Sequence, residues 1–409
     1  MDRGAKWICC ALRELAETAV KTDGEYQRAT YTREDRMGLE LLQRWMRERG
    51  METCLDGVGN LFGRIEGKSK KIVLTGSHRD TVRGGGKYDG ALGLLASLEA
   101  VGELSRELGT PNKTVEVVAT CEEEGNRFLS AYVGSRAIVG ALTEEHLREQ
   151  DEEGNSLAAV LAEQGYWKGE LPGPKKDLER FVELHIEQGP VLEQEKKEIG
   201  IVTSIVGILA GTVRFSGQQN HAGTTPMRLR KDPVPPMCEF VSRIGRWAGA
   251  YSDRMVFTVG SVRVLPGAPN VIAAGAEITF DIRSIHSELL DAAQETLIST
   301  ARAVREDFGE RVGVELIWAG KDMPVEMDGD GISLLTRIAE EKGASLMLMC
   351  SGAGHDSQVI GGHVKTNMLF VPSVNGVSHS AEEYTSENMI ETGYLVLKEF
   401  LKKIAWESE

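Results

Sequence analysis

Apolar and polar positions along this chain follow two registers, short runs with strand character and longer stretches with helical spacing. KIVLTGSH (71–78) is an apolar run that ends in polar residues, and ALGLLASLEAVGELSREL (91–108) follows with leucine and alanine at helical intervals. TVEVVATCEEEG (114–125) repeats the strand-then-polar pattern. RFVELHIEQGP (180–190) alternates, with Val182, Leu184 and Ile186 on one face and Phe181, Glu183 and His185 on the other. TNMLFVPS (366–373) predicts another strand, followed by a helix over 386–404. Strands separated by helices predict an α/β layer with a mostly parallel central sheet.

The middle of the chain reads differently. Strand candidates GILAGTVRFSG, RMVFTVGSV, AEITFDIRS and VGVELIWAG fall between 208 and 322, with helix-like stretches at 233–249 and 287–308. They predict an inserted α+β domain over 208–322, which splits the first domain into 1–207 and 323–409. The segment 152–176 reads as a surface helix and loop excursion.

A length of 409 residues favours two domains over one, and 41% apolar with 27% charged residues is ordinary for a soluble globular chain. The formal charge of −15 would repel phosphate backbones and anionic lipid. Neither nucleic acid nor membrane is therefore an expected partner, and small molecules remain open. Arg13 and Glu14 interrupt the opening MDRGAKWICCALRELAETA before an apolar core of a signal forms, so it predicts an amphipathic helix and a cytoplasmic protein. Six scattered cysteines without C-x-x-C spacing argue against a disulfide framework and a thiolate zinc site. Any metal should be held by His and carboxylate.

Those residue types collect at strand ends, where open α/β sheets gather reactive groups. His78 ends one strand candidate, Asp89 lies in the turn GGGKYDGALG, Glu122, Glu123 and Glu124 follow the next strand, His185 ends a third and His379 follows a fourth. Three His, one Asp and one Glu suit a carboxylate-bridged pair of zinc, manganese or cobalt ions. Asp80, in His78-x-Asp80, is placed to accept the imidazole's other N–H. Of Glu123 and Glu124, one can ligate while the other acts on water. Taken singly, each piece has a plainer reading: a strand-end His is more often a hydrogen-bonded structural residue, and Glu-Glu-Glu a solvated turn. GGGKYDG without a following Lys-Ser/Thr is a poor nucleotide loop. His146, His286 and His363 stand without such company and are read as structural.

The strings GSHRDTVRGGGKYDGALG, EEEGNRF, ELHIEQGPVLE, HAGTTPMRLRKDP, PNVIAAGAEITFDIRS, SGAGHDSQ and FVPSVNGVSHSAEE closely resemble the amidase branch of the di-metal M20 peptidase family. That branch contains N-carbamoyl-L-amino-acid hydrolases, allantoate amidohydrolases and β-ureidopropionases, and the resemblance runs from about residue 35 to 405 in the same order. It implies one metal on His78 and His185, a second on Glu124 and His379, and Asp89 bridging both. It implies Glu123 as general base, Gln188 and His221 at the scissile carbonyl and ureido group, with His221 as an oxyanion donor often supplied by a partner subunit, and Asn270 and Arg283 at the substrate carboxylate. Period two agrees for Arg283, placing Glu277, Thr279, Asp281 and Arg283 opposite Ile278, Phe280 and Ile282. An Arg fork suits a carboxylate, although a salt bridge to Asp281 or Glu277 is the structural alternative. Gly354, in Ser351–Asp356, is a further candidate through backbone N–H groups.

The chain departs from the branch at Arg79, where an apolar residue is common, and at Arg83; each could alter substrate preference or merely meet acid charge. Glu122 is an extra acid without an assigned role. The resemblance implies that the inserted domain 208–322 is a lid and dimerisation module, and the expectation is a cytoplasmic, homodimeric, two-metal amidohydrolase that cleaves the ureido C–N bond of an N-carbamoyl-L-amino acid, releasing ammonia and carbon dioxide. Allantoate is the nearest alternative substrate. An M20 dipeptidase or aminoacylase, or a binding protein on the same fold without metal or turnover, are the others.

Overall fold

The apolar runs around Val73, Val117 and Leu184 become neighbouring strands of one sheet, buried on both faces as parallel strands between helices must be. The computed structural model describes residues 1–19, 26–128 and 130–407. In chain order the strands are β1 (Glu52–Leu55), β2 (Leu61–Ile65), β3 (Ser69–His78), β4 (Lys113–Thr120), β5 (Leu178–Ile186), β6 (Ile199–Ile205), β7 (Gly207–Ser216), β8 (Asn220–His221), β9 (Met255–Leu265), β10 (Val271–Ile272), β11 (Gly275–Ser284), β12 (Gly313–Asp322), β13 (Val325–Glu326), β14 (Leu346–Ser351) and β15 (Lys365–Val371).

The chain divides into Met1–Thr203 with Glu326–Glu409, and Ser204–Val325. In the first unit the sheet order is β1-β2-β4-β3-β5-β15-β6-β13, with β14 beside β6. The central strands β4, β3, β5 and β15 are parallel, while β1, β2 and β6 join antiparallel at the flanks. All four central strands therefore end on one edge, and His78 and His185 lie at that edge. The helix Ala91–Leu108 is buried from Ala91 to Leu104, as an all-round apolar helix should be. A methyl group at Gly93 would overlap the Leu184 carbonyl, so the close seating of this helix on β5 requires glycine. The amphipathic helix Arg3–Glu17 and the C-terminal helix Glu387–Leu401 share its core through Leu12, Leu95, Leu397 and Phe400. Residues 152–176 are less superficial than the sequence suggests: the helix Leu157–Glu163 buries Leu157, Val160 and Leu161 against Phe128 and Leu147.

The second unit is a four-stranded antiparallel sheet, β12-β7-β11-β9. Along β11, Ala276, Ile278, Phe280 and Ile282 are buried, and Glu277, Thr279, Asp281 and Arg283 are half-exposed on the other face. The helices Val234–Gly249 and Ser287–Asp307 cover the buried face with Phe240, Ile244, Leu290 and Leu297. β8 and β10 form a separate short ladder. Among the described residues, no helix is long and apolar enough to cross a membrane.

Candidate metal centre

Parallel register sets the centre. His78 is the last residue of β3 opposite Thr120 of β4, and His185 of β5 lies opposite Phe370 of β15. Glu122–Glu124 follow β4, Asp89 precedes the helix Ala91–Leu108, and His379 follows β15. Gly90 has φ of +63°, and a Cβ there would press on the His78 ring and carbonyl, so the turn beside Asp89 depends on glycine.

The imidazoles converge on the Asp89 carboxylate. Its Oδ1 lies 3.4 Å from His78 Nε2 and 3.2 Å from His185 Nε2, and its Oδ2 lies 3.1 Å from His379 Nε2. His379 Nε2 is also 3.5 Å from Glu124 Oε2. Three triplets result, His78/Asp89/His185, Asp89/Glu124/His379 and, sharing a residue with each, His78/Glu123/Glu124, each with its ligand atoms within 4.8 Å of one another. Glu123 Oε2 lies 4.0 Å from His78 Nε2. Gln188 donates from Nε2 to Asp89 Oδ2 at 2.9 Å.

Backbone carbonyls fix the ring orientations. His78 Nδ1 lies 2.9 Å from the Asp80 carbonyl and His185 Nδ1 2.9 Å from the Ile186 carbonyl. A carbonyl can only accept, so Nδ1 carries a proton and Nε2 is the ring atom turned toward Asp89. This corrects the sequence reading of Asp80: its main-chain oxygen, not its carboxylate, holds the ring. The carboxylate accepts instead from the Glu123 and Glu124 amides, at 3.3 and 3.2 Å. β3 ends at His78, so the alternation that would set both side chains on one face no longer applies.

The residues fit a pair of divalent cations. Imidazole Nε2 atoms face a carboxylate oxygen, and neither Asp89 Oδ1 nor Glu124 Oε1 receives a hydrogen bond although both are buried. A metal ion between them satisfies that arrangement, as protonated imidazoles do without one, and the donors are nitrogen and oxygen alone. Acid–base balance expresses the same demand. Burial pushes Glu123 well above the usual carboxylate range, with His78 opposing and Glu124 adding to the shift, and burial together with Asp89 pushes Glu124 up to about 7. Against its own burial, Asp89 is held well below that range by His185, His379 and His78, and contact with Asp89 raises His379 to about 9.

Several residues acquire definite places. Arg79 points away from the centre, forked onto Asp35 with Nε to Oδ1 at 2.6 Å and Nη2 to Oδ2 at 3.1 Å. It meets acid charge in the interior, whereas Arg83 is exposed. Glu122 is fully buried and organises the next loop, accepting from the Arg127 and Phe128 amides at 2.7 and 2.8 Å and from the Thr30 hydroxyl. A Cβ at Gly354 would overlap the Tyr132 hydroxyl, and the adjacent His355 ring packs edge-on against His185 at 4.6 Å between centroids. Sequence reasoning missed Glu383, a buried acid on the Tyr88 and Asp89 amides. Its signal was a second Glu close behind His379.

The remaining candidates lie in the second unit. His221 is exposed, and its Nδ1 accepts the Gly223 and Thr224 amides at 3.0 and 3.1 Å, which leaves the proton on Nε2. The Asn270 carbonyl accepts the Ala222 amide at 3.0 Å, so Asn270 and His221 share one lobe. Arg283 is paired with Asp281, Nε to Oδ1 at 2.8 Å and Nη2 to Oδ2 at 3.1 Å. Asn270 and Arg283 are not brought together: the turn carrying Asn270 adjoins Gly275, and the strand from Gly275 to Arg283 spans about 26 Å at its ordinary rise.

Comparison with known proteins agrees with this architecture. The family described as Peptidase family M20/M25/M40 matches residues 70–403. The chain is 38% identical to an allantoate amidohydrolase of Bacillus subtilis, covering 96% of both chains. It is 36% identical to an N-carbamoyl-L-amino-acid amidohydrolase of Paenarthrobacter aurescens, again covering 96% of both. The crystal structure of a hydantoinase/carbamoylase family amidase from Burkholderia multivorans matches with a TM-score of 0.86 at 33% identity, covering 97% of each chain.

Proposed function

Because the chain belongs to peptidase family M20/M25/M40, we propose that it is a two-metal amidohydrolase that cleaves the ureido C–N bond of an N-carbamoyl-L-amino acid. It acts on carbon–nitrogen bonds other than peptide bonds, and its substrate is a small molecule. The observation that carries the reading is Asp89, whose two oxygens face two different ligand sets. His78, His185 and Asp89 would hold one zinc, manganese or cobalt ion, and Glu124, His379 and Asp89 the other. When bound, such ions supply Lewis-acid polarisation of a carbonyl and make water more acidic.

The chain's own groups do the rest. Glu123, with proton affinity raised by burial, takes a proton from the attacking water and delivers it to the leaving nitrogen. His221 offers Nε2–H to the oxygen on which charge develops, its tautomer set beforehand by two backbone amides. Gln188, whose amide donates to Asp89, lies beside the metal ligands and would face the scissile group. Arg283 presents a planar guanidinium for a carboxylate, and Asn270, in the same lobe as His221, comes with it from a second copy of the chain. The strand between Asn270 and Arg283 supports that homodimer, since about 26 Å exceeds the reach of both side chains onto one carboxylate.

Allantoate is a second reading, favoured by the 38% identity to the Bacillus subtilis enzyme. Ammonia release from metal-loaded protein is measured against N-carbamoyl-L-amino acids, allantoate, N-carbamoyl-β-alanine and a dipeptide. Turnover of N-carbamoyl-L-amino acids above the others supports the proposal. Preference for allantoate selects the second reading, and cleavage of the dipeptide alone overturns both.

A further inference from the structure

We propose that Glu383 is a positioning residue for the metal centre, its one carboxylate tying the turn that carries Asp89 to the loop that carries His379. The inference rests on the two-cation reading above. Glu383 Oε1 accepts the Tyr88 amide at 2.9 Å and the Asp89 amide at 3.1 Å. Its Oε2 accepts the Ser378 hydroxyl at 2.8 Å, and that hydroxyl is also 3.4 Å from Asp89 Oδ2. Two segments almost 300 residues apart in sequence thus meet on a side chain that is 4% exposed.

Each end of the tie needs holding. The Asp89 oxygens must face opposite ligand sets, and fixing its amide together with that of Tyr88 fixes the backbone from which the carboxylate departs. His379 has φ of +53°, a left-handed conformation that a non-glycine residue keeps only where its surroundings impose it. Ser378 supplies the constraint on one side. On the other, the Glu383 amide closes a turn onto the Ser380 carbonyl at 3.0 Å. A Cβ at Gly86 would overlap the Glu383 carboxylate, so the tie also depends on glycine at that position.

Positioning and mere structural filling make different predictions. If Glu383 only fills a polar niche, its loss lowers the thermal midpoint of the metal-free protein and leaves cation affinity alone. If it positions the ligands, affinity changes. Full-length wild type, Glu383→Ala, Glu383→Gln and Gly86→Ala are compared by Co2+ dissociation constants from chelator competition and by the visible absorption of the Co2+-loaded protein. Glu383→Ala is expected to weaken at least one of two Co2+ sites by about 10- to 100-fold, the usual effect of losing a ligand's supporting partner, and to change the absorption. Glu383→Gln keeps an acceptor oxygen for the two amides and should recover most of that affinity. Gly86→Ala should reproduce the loss with Glu383 present, and it decides the matter if Glu383→Ala does not fold.

Two sites of wild-type affinity and spectrum in Glu383→Ala or Gly86→Ala overturn the inference, as does a Gln variant as weak as Ala. Wild-type protein that takes up no pair of cations overturns the two-cation reading, and this inference with it.

Discussion

Arg79→Met should destabilise the larger unit by about 3–5 kcal/mol, the cost of leaving one half of a buried ion pair behind. The Arg79 side chain is 0% exposed and that of Asp35 1%. Besides its fork on Asp35, the guanidinium donates from Nη1 to the Ala119 and Thr120 carbonyls at 3.2 and 3.3 Å. The substitution leaves Asp35 with the Tyr31 amide at 2.9 Å, and it strips a donor from two carbonyls at the end of β4. At about 2 °C per kcal/mol for a unit of this size, the thermal midpoint of metal-free protein should fall by about 6–10 °C. Asp35→Leu alone should cost a similar amount, because it strands the guanidinium. Combined, the two substitutions remove both charges, and most of the loss should return, since an apolar pair of similar volume replaces a buried ion pair at little cost. Thermal and urea unfolding of the four proteins closes the cycle. Additive losses, or a single variant within about 2 °C of wild type, refute the reasoning. The ratio of kcat/KM among substrates should not change, because Arg79 faces Asp35 and the end of β4; a shifted ratio would restore it as a determinant of substrate choice.

Glu123→Gln should lower kcat by about 10²- to 10⁴-fold with cation content unchanged, as measured by turnover and elemental analysis; undiminished turnover would remove Glu123 as the proton carrier. Arg283→Ala should reduce kcat/KM for a carboxylate-bearing ureide by about 10- to 150-fold, the worth of a hydrogen bond to a charged group, and should not alter Co2+ binding. Asp328 accepts the Gly331 amide at 2.9 Å and pairs with Arg180 at 2.9 Å, and these outweigh its burial to lower its pKa. A lowered folded-state pKa adds stability above the ordinary carboxylate value of about 3.9 and loses it as pH falls through the folded-state value. Asp328→Asn should flatten that acid limb of the unfolding curve, and an unchanged limb would exclude Asp328 as its source.

What could be read from the sequence followed local rules. His78, Glu124 and His185 stand at strand ends because an apolar run must stop where polar residues begin, and that switch is visible in one dimension. That β15 lies between β5 and β6 is a long-range pairing which no local pattern reports. The antiparallel flanks of the sheet were invisible for the same reason. Asp80 shows a finer limit. Spacing placed it beside His78, but which of its oxygens faces the ring depends on where the chain turns. Arg79 and Asp35 lie 44 residues apart and pair in the interior, so charge alone left Arg79 ambiguous.

The histidines show how the main chain assigns different chemistry to one residue type. In His78 and His185 the Nδ1 proton goes to a carbonyl, so Nε2 is left to face Asp89 and suits a cation. His221 reverses the pattern: two amides occupy Nδ1, Nε2 keeps the proton, and the ring suits a developing oxyanion. His355 is as buried as His185, yet its Nε2 is taken by the Ser351 hydroxyl at 2.9 Å, and burial together with the charge of His185 drives its pKa well below the usual value. Its ring packs edge-on against that of His185. A carbonyl, a pair of amides and a hydroxyl thus prepare one residue type for the three proposed roles of ligand, donor and buttress.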